Sequence, residues 1–197
     1  MYYETATNDH GLPHDPLKAL VAPRPIGWIS SLDANGQPNL APYSFFNLLS
    51  THPAIVGFSS ATLKDSQRNI EETGDFVCNF ASVNLIDEVN TTSKHVAADV
   101  DEFELSGLHQ APSKLIKAPR VKEARAHLEC EYLQTLTLPH DEGGMVWSLV
   151  LGRVLAVHID DRYIKEGLVD TLAMEPLTRM GYMDYGVLGG VETRNRP

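Results

Sequence analysis

No stretch of the 197-residue chain holds the roughly 18 consecutive apolar residues that a membrane span needs. The opening Met1-Tyr2-Tyr3-Glu4-Thr5 lacks the charged-then-apolar order of a secretory leader, so a soluble, cytoplasmic protein is expected. Cysteine is scarce. Cys78 and Cys130 each sit inside an apolar, strand-like run without CxxC spacing, which predicts buried free thiols and excludes a disulfide framework or a zinc ribbon. Positive charge is also short, with 16 Lys and Arg against 26 Asp and Glu and a net charge of −10. Nucleic acid and anionic membrane both require concentrated positive charge, so neither is an expected partner. Any phosphate-bearing ligand must be held by a local patch.

Several catalytic signatures are missing. No Gly-x-Gly-x-x-Gly follows a strand, and the late Gly186-Val187-Leu188-Gly189-Gly190 has the wrong spacing and no helix pattern after it, which excludes a dinucleotide Rossmann site. There is no Gly-x-Ser-x-Gly elbow, and His52 and His95 have no evident carboxylate partner, so hydrolase chemistry has no support. No internal repeat, low-complexity tract or dividing linker interrupts the chain.

What remains is a chain with 43% apolar residues, enough for one packed domain. We expect an N-terminal arm over residues 1–17, a main domain over 18–175 and a C-terminal tail over 176–197. The β-rich run 26–32 leads into Asp33-Ala34-Asn35-Gly36, strong turn chemistry, and a return strand over 38–46 that Pro42 limits to an edge, bulge or strand-end position. Residues 54–60 predict a third strand and 76–80 a fourth. Between them, Lys64 to Gly74 predicts a short helix capped by Asp65 or Ser66 and stopped by Gly74. Helical spacing returns from Leu85 toward Val96, and an acidic turn of helix around Asp101 to Leu105.

From Ala126 the pattern is strict alternation, with Arg125, His127, Glu129 and Glu131 opposite the apolar set, which predicts a strand with one solvated face and a surface His127. Met145 to Ile159 is apolar on both faces and should lie mid-sheet, with Gly152 as a bulge or bend and His158 as a satisfied core or interface histidine. A short helix is expected from Arg162 to Leu172. Short strands with few helices predict a mainly β (α+β) fold: a split β-barrel of antiparallel strands with helical insertions.

Residues 23–69 carry the candidate site. Lys64, Ser66 and the free N–H groups of the helix they precede form an anion site, with Arg24 as a second positive group. Ser30, Ser31, Ser44, Asn47, Ser59 and Ser60 lie at the ends of three successive strands, and Trp28, Tyr43, Phe45 and Phe46 supply flat apolar surface. The same residues also satisfy a plain reading, in which Ser66 or Asp65 caps a helix and the aromatics are core. Together they suit a planar, phosphorylated cofactor without naming it.

The chain resembles the flavin-reductase-like, FMN-binding split-barrel flavoproteins over roughly residues 18–160. The resemblance rests on Ala22-Pro23-Arg24-Pro25-Ile26-Gly27-Trp28-Ile29-Ser30, Asn39 to Asn47, Lys64-Asp65-Ser66 with Asn69-Ile70, Thr73 to Val77, Asp101-Glu102-Phe103 and Gly152-Arg153-Val154. It implies a homodimer with FMN near the interface, a small-molecule substrate, and redox chemistry drawing on NADH or NADPH as a transient donor. By position, Trp28, Ile29, Ser30, Ser44, Phe45, Phe46 and Asn47 would line the isoalloxazine and ribityl chain, partly through backbone groups. Ser59, Ser60, Lys64, Ser66 and Asn69 would hold the phosphate end, with Asp65 as a helix cap beside it. The alternatives are an electron carrier without nicotinamide turnover, and a split barrel binding another planar group such as haem or pyridoxal phosphate.

Overall fold

In the computed structural model, which describes residues 1–195, the Asp33 turn folds as its chemistry predicts. The Asp33 carboxylate accepts the N–H groups of Asn35 at 2.8 Å and Gln37 at 2.7 Å, while Gly36 takes φ +86°. A short helix α1 (Leu17–Leu20) and strand β1 (Arg24–Pro25) come first; the turn then joins β2 (Gly27–Leu32) to β3 (Pro38–Tyr43). β3 is an edge strand, where Pro38 and Pro42 need no second ladder partner.

The expected return strand stops at Tyr43. A separate strand β4 (Phe46–Thr51) follows and pairs with β5 (Ala54–Ala61), a hairpin the sequence reading did not separate from its neighbours. Helix α2 (Asp65–Thr73) ends at Gly74, which has φ +83° and donates its N–H to the Ile70 carbonyl at 2.9 Å. Strand β6 (Asp75–Phe80), helices α3 (Ile86–Thr91) and α4 (Glu102–Ser106), and the two-residue pair β7 (Gln110–Ala111) and β8 (Arg120–Val121) lead to the long strands β9 (Ala126–Thr137) and β10 (Trp147–Ile159).

Seven of these strands form one antiparallel sheet in the order β3-β2-β6-β9-β10-β5-β4. The sheet curls into a barrel left open between its end strands, the expected split-barrel architecture. β10 is interior, and its register shifts between Leu151 and Gly152, the bulge of the two expected alternatives. A Cβ on Gly152 would overlap the Phe76 ring. Successive residues of β2 face opposite ways, so Ile29 joins the barrel core with Val56, Phe58, Ile70, Phe76, Cys130 and Val150. Trp28 instead joins an outer core with Leu40, Val89, Phe103, Val121 and Leu177. Each fully buried large side chain contributes about 1.5–3 kcal/mol.

Both cysteines are free and buried, as expected. The expected helix from Arg162 to Leu172 is instead a 3-10 turn (Asp161–Tyr163) and a tight ribbon, β11 (Ile164–Lys165) with β12 (Leu168–Val169). Positive φ at Glu166 and Gly167 makes that reversal. The last strands, β13 (Leu177–Arg179) and β14 (Tyr185–Val187), form a three-stranded sheet with β1, and Leu177 enters the outer core. No helix among the described residues is long and apolar enough to cross a membrane.

The polar face of β9 is the main correction. His127 is 5% exposed and Glu129 0%, because the segment between Pro112 and Val121 covers them. Glu129 accepts the backbone N–H groups of Lys114 at 2.7 Å and Leu115 at 2.8 Å, and His127 Nε2–H donates to the Val121 carbonyl at 2.8 Å. Alternation reports two unlike faces; it does not say which one water reaches.

Candidate functional site

The start of α2, the edge of β3 and residues 92–96 enclose a cavity of about 290 Å³. Lys64 occupies the N-cap position with an extended backbone and no side-chain cap, so the first N–H groups of the helix keep their capacity for an anion. The expected cap by Asp65 is absent. Asp65 is the first helical residue, and its carboxylate pairs with Arg68 one turn on. That pairing offsets the charge that would otherwise repel a phosphate. The Lys64 ammonium lies 5.9 Å from the centre of the Tyr43 ring.

Behind this mouth runs a chain of buried hydrogen bonds. Ser66 Oγ donates to Asn39 Oδ1 at 2.7 Å, and Asn39 Nδ2 donates to both Glu102 oxygens at 3.1 Å. The Leu40 N–H adds a third donor to Glu102 at 3.0 Å. Burial raises the Glu102 carboxyl above its ordinary pKa, and these donors partly offset it. Burial likewise pushes the Tyr43 phenol up to about 12, so the phenol stays protonated. At the rim, Thr62 holds φ +62°, an uncommon conformation for a β-branched residue, with its N–H on the Val146 carbonyl at 2.8 Å.

A second cavity of about 250 Å³ adjoins the first through Pro42 and Ser93 and carries Ser44, Asn90, Arg179, Met183 and Tyr185. Beside it, the half-exposed Phe45 ring meets Trp147 edge-on at 5.2 Å, and the Arg24 guanidinium stands 5.7 Å from its centre. The Phe45 carbonyl accepts the Ser59 N–H at 2.8 Å, tying this loop to β5, where Ser60 is buried.

Not every expected side chain faces these cavities. Lys64, Asp65 and Ser66 line the first and Ser44 the second. Trp28 is wholly buried and donates Nε1–H to Thr92 Oγ1 at 2.9 Å, so it fixes residues 92–96 from behind. Ile29 belongs to the barrel core; Ser30 is buried and donates to the Pro119 carbonyl at 2.5 Å. Asn69 is buried 3.5 Å from Ser31 Oγ, away from both cavities. Arg24 is 7% exposed and donates to the carbonyls of Lys18, Val21 and Met180. Phe46 packs over Gly27, where a Cβ would come within 2.6 Å of its ring, and Asn47 Oδ1 accepts the Leu48 N–H at 2.9 Å. The sequence reading missed Thr92, Ser93, Lys94 and His95, although the polar run after α3 was visible, and missed the Asn39–Glu102 pair, whose partners lie far apart in the chain.

A phosphorylated, planar group fits this donor set. Lys64, Lys94 and the uncapped helix suit its anionic end, hydroxyls of Thr62, Ser66 and Ser93 suit a polyol, and Phe45 with the start of β4 offers a flat, partly exposed flank.

The flavin reductase like domain family matches residues 20–176. Protein YwrF of Bacillus subtilis is 32% identical over 187 residues, 92% of this chain and 91% of that one. Among solved structures, nitrilotriacetate monooxygenase component B from Bacillus cereus superposes with a TM-score of 0.91 at 26% identity, covering 98% of each chain. The Pseudomonas fluorescens 2-nitrobenzoate 2-nitroreductase NbaA shares the fold, with a TM-score of 0.86 at 24% identity over 100% of this chain and 96% of that one.

Proposed function

The chain belongs to the flavin reductase-like domain family, and from that premise we propose that it binds FMN and passes electrons from NADH or NADPH through it to flavin or another small-molecule acceptor. The observation that carries this reading is Lys64 at the uncapped start of α2, opening on a cavity walled by hydroxyl groups. Lys64 and the first α2 N–H groups take the phosphate, with Lys94 on the facing wall. Ser59, Ser60 and Ser66 border the ribityl chain, and Ser44, Phe45, Phe46 and Asn47 flank the ring. Trp28, Ile29, Ser30 and Asn69 act from behind, as the packed frame that holds those groups in place. Arg24 holds the loop and the tail together through its three carbonyl partners. Bound FMN would supply the hydride and electron chemistry; the protein places it and leaves a neighbouring cavity for a second reactant.

A homodimer is part of the same proposal. On the outer face of the sheet, Leu49, Leu149 and Leu151 converge over Gly57, where a Cβ would stand 2.7 Å from Leu49, 3.3 Å from Leu149 and 3.1 Å from Leu151. Leu136 pairs with Leu149 across the ladder, and Leu49 and Leu136 are exposed. An apolar patch spread over neighbouring strands suits a second copy of the chain.

The visible spectrum of the purified protein with added FMN, then anaerobic mixing with NADH or NADPH, tests the reading. Bound, quenched flavin that bleaches on mixing is the expected result. A chain that takes up no FMN overturns it. Bound flavin that no nicotinamide reduces leaves an electron carrier and overturns the enzymatic part.

A further inference from the structure

Two arginines face each other where β1 meets β13: Arg24 and Arg179 are direct partners in the antiparallel register. Like charges placed opposite one another across a ladder destabilise it unless something neutralises them. Among the described residues neither makes an ion pair with a carboxylate. Both are held instead by backbone carbonyls. Arg179 donates to Met183 at 3.2 Å and Tyr182 at 3.0 Å, and its guanidinium lies 4.6 Å from the centre of the Tyr185 ring. Burial, and then the charge of Arg179, lower the Arg24 pKa, as their opposed positions require.

Two further observations describe the surroundings of the pair. Arg24 Nε is buried without a hydrogen-bond partner, in a side chain only 7% exposed. Such a donor is costly to leave unmade. The cavity that Arg179 lines, about 250 Å³, has no Asp or Glu on its walls; its other polar groups are Ser44, Asn90, Ser93 and Tyr185. In a chain with 26 acidic and 16 basic residues, a cavity of this make-up is set apart for negative charge.

We propose that Arg179, with Ser44, Asn90 and Ser93 beside it, forms an oxyanion subsite for the second reactant, receiving its carboxylate or phosphate in the cavity next to the Ser44 loop. The proposal rests on the functional reading above for the identity of the neighbouring cofactor. It makes Arg179 a specificity residue: its guanidinium contacts the anionic group of the reactant and so decides which molecules dock in productive range. Arg24 braces three carbonyls and does not line the cavity, so Arg179 is the residue to change.

The test is calorimetric titration of the full chain with benzoate, its neutral counterpart benzamide, and inorganic pyrophosphate, with and without FMN. At least one anion is expected to bind tenfold or more tightly than benzamide. Benzoate as the tighter probe identifies a substrate carboxylate, and pyrophosphate a nucleotide phosphate. Arg179→Met should remove the preference while FMN affinity changes less than threefold, and Arg179→Lys should restore part of it. Equal binding of benzamide and both anions would overturn the proposal, as would an unchanged preference in Arg179→Met. A loss of FMN affinity as large as the loss of anion affinity would also overturn it, by giving Arg179 to the cofactor. The titration without FMN keeps the two readings apart, since a chain that takes up no flavin can still discriminate the anions.

Discussion

Glu129 and His158 meet across β9 and β10, the imidazole Nε2–H donating at 2.5 Å to a carboxylate with no exposed surface. Burial alone would raise the Glu129 pKa. The donors from Lys114, Leu115 and His158 outweigh it and hold the carboxyl below its usual range. Glu129→Gln replaces one acceptor oxygen with a donor and strands at least one of these partners. The expected cost is about 1–3 kcal/mol, read as a lower urea midpoint with an unchanged slope. An unaltered midpoint would show that the covering segment is held by other contacts.

His127 sets an acid limit on stability. Burial, with Arg120 and His158 adding to it against the Val121 carbonyl, lowers its pKa from 6.5 to about 4. The unfolded chain therefore takes up this proton first as pH falls. The stabilisation is fully present above pH 6.5 and lost progressively between there and pH 4, up to about 3 kcal/mol in all. Glu129, also depressed, adds loss in the same direction at lower pH. His127→Gln, whose amide can still donate to Val121, should flatten the slope of unfolding free energy against pH in that window. An equally steep slope in the variant would place the titration elsewhere.

Lys64→Ala separates phosphate recognition from ring recognition. Its ammonium lies at the helix mouth, and one charge-assisted contact is worth about 1.5–3 kcal/mol, so FMN should bind tenfold or more weakly while riboflavin changes little. Fluorescence quenching of both flavins measures the difference. Ser66→Ala is a poorer probe, because Ser66 also supports Asn39 and Glu102.

Gly152→Ala should destabilise the barrel by about 1–3 kcal/mol, since the new methyl group would overlap the fully buried Phe76 ring. Thermal melting reads this directly, and a melting temperature equal to the parent's would mean that the bulge has room the packing does not suggest.

Leu49→Lys places a charge on the outer leucine patch over Gly57. If that patch joins two copies, sedimentation at micromolar concentration should show monomer for the variant and dimer for the parent. Dimer in both would move the interface to another face.

The repeating features of the chain were legible where chemistry is local. The Asp33 turn, the Gly74 stop, the edge position of β3 and the bulge at Gly152 each follow from one residue's backbone or hydrogen-bonding preference. Lys64, Asp65 and Ser66 were placed together at a helix start for the same reason, since a helix start is a local object. What failed depended on distant partners. Glu129 is covered by backbone from Lys114 and Leu115, and His127 by the Val121 carbonyl. No spacing in sequence records which segment will lie over a strand. The arginine pair is the clearest case, its members separated by most of the chain and joined only by a short ladder at the tail.

The order β3-β2-β6-β9-β10-β5-β4 has a consequence for synthesis. Strands β3 and β4, consecutive in the chain, sit at opposite ends of the sheet, and only β6, β9 and β10 connect the halves. The residues that wall the first cavity are made early, yet a nascent chain stopped before Trp147 lacks the strand that fixes β5 against β9. The site is therefore a late product of folding, governed by long-range pairing and slow for its size. Flavin uptake by ribosome-arrested chains should begin only after Ile159 has left the exit tunnel, which makes the cofactor a reporter of the last strand to dock.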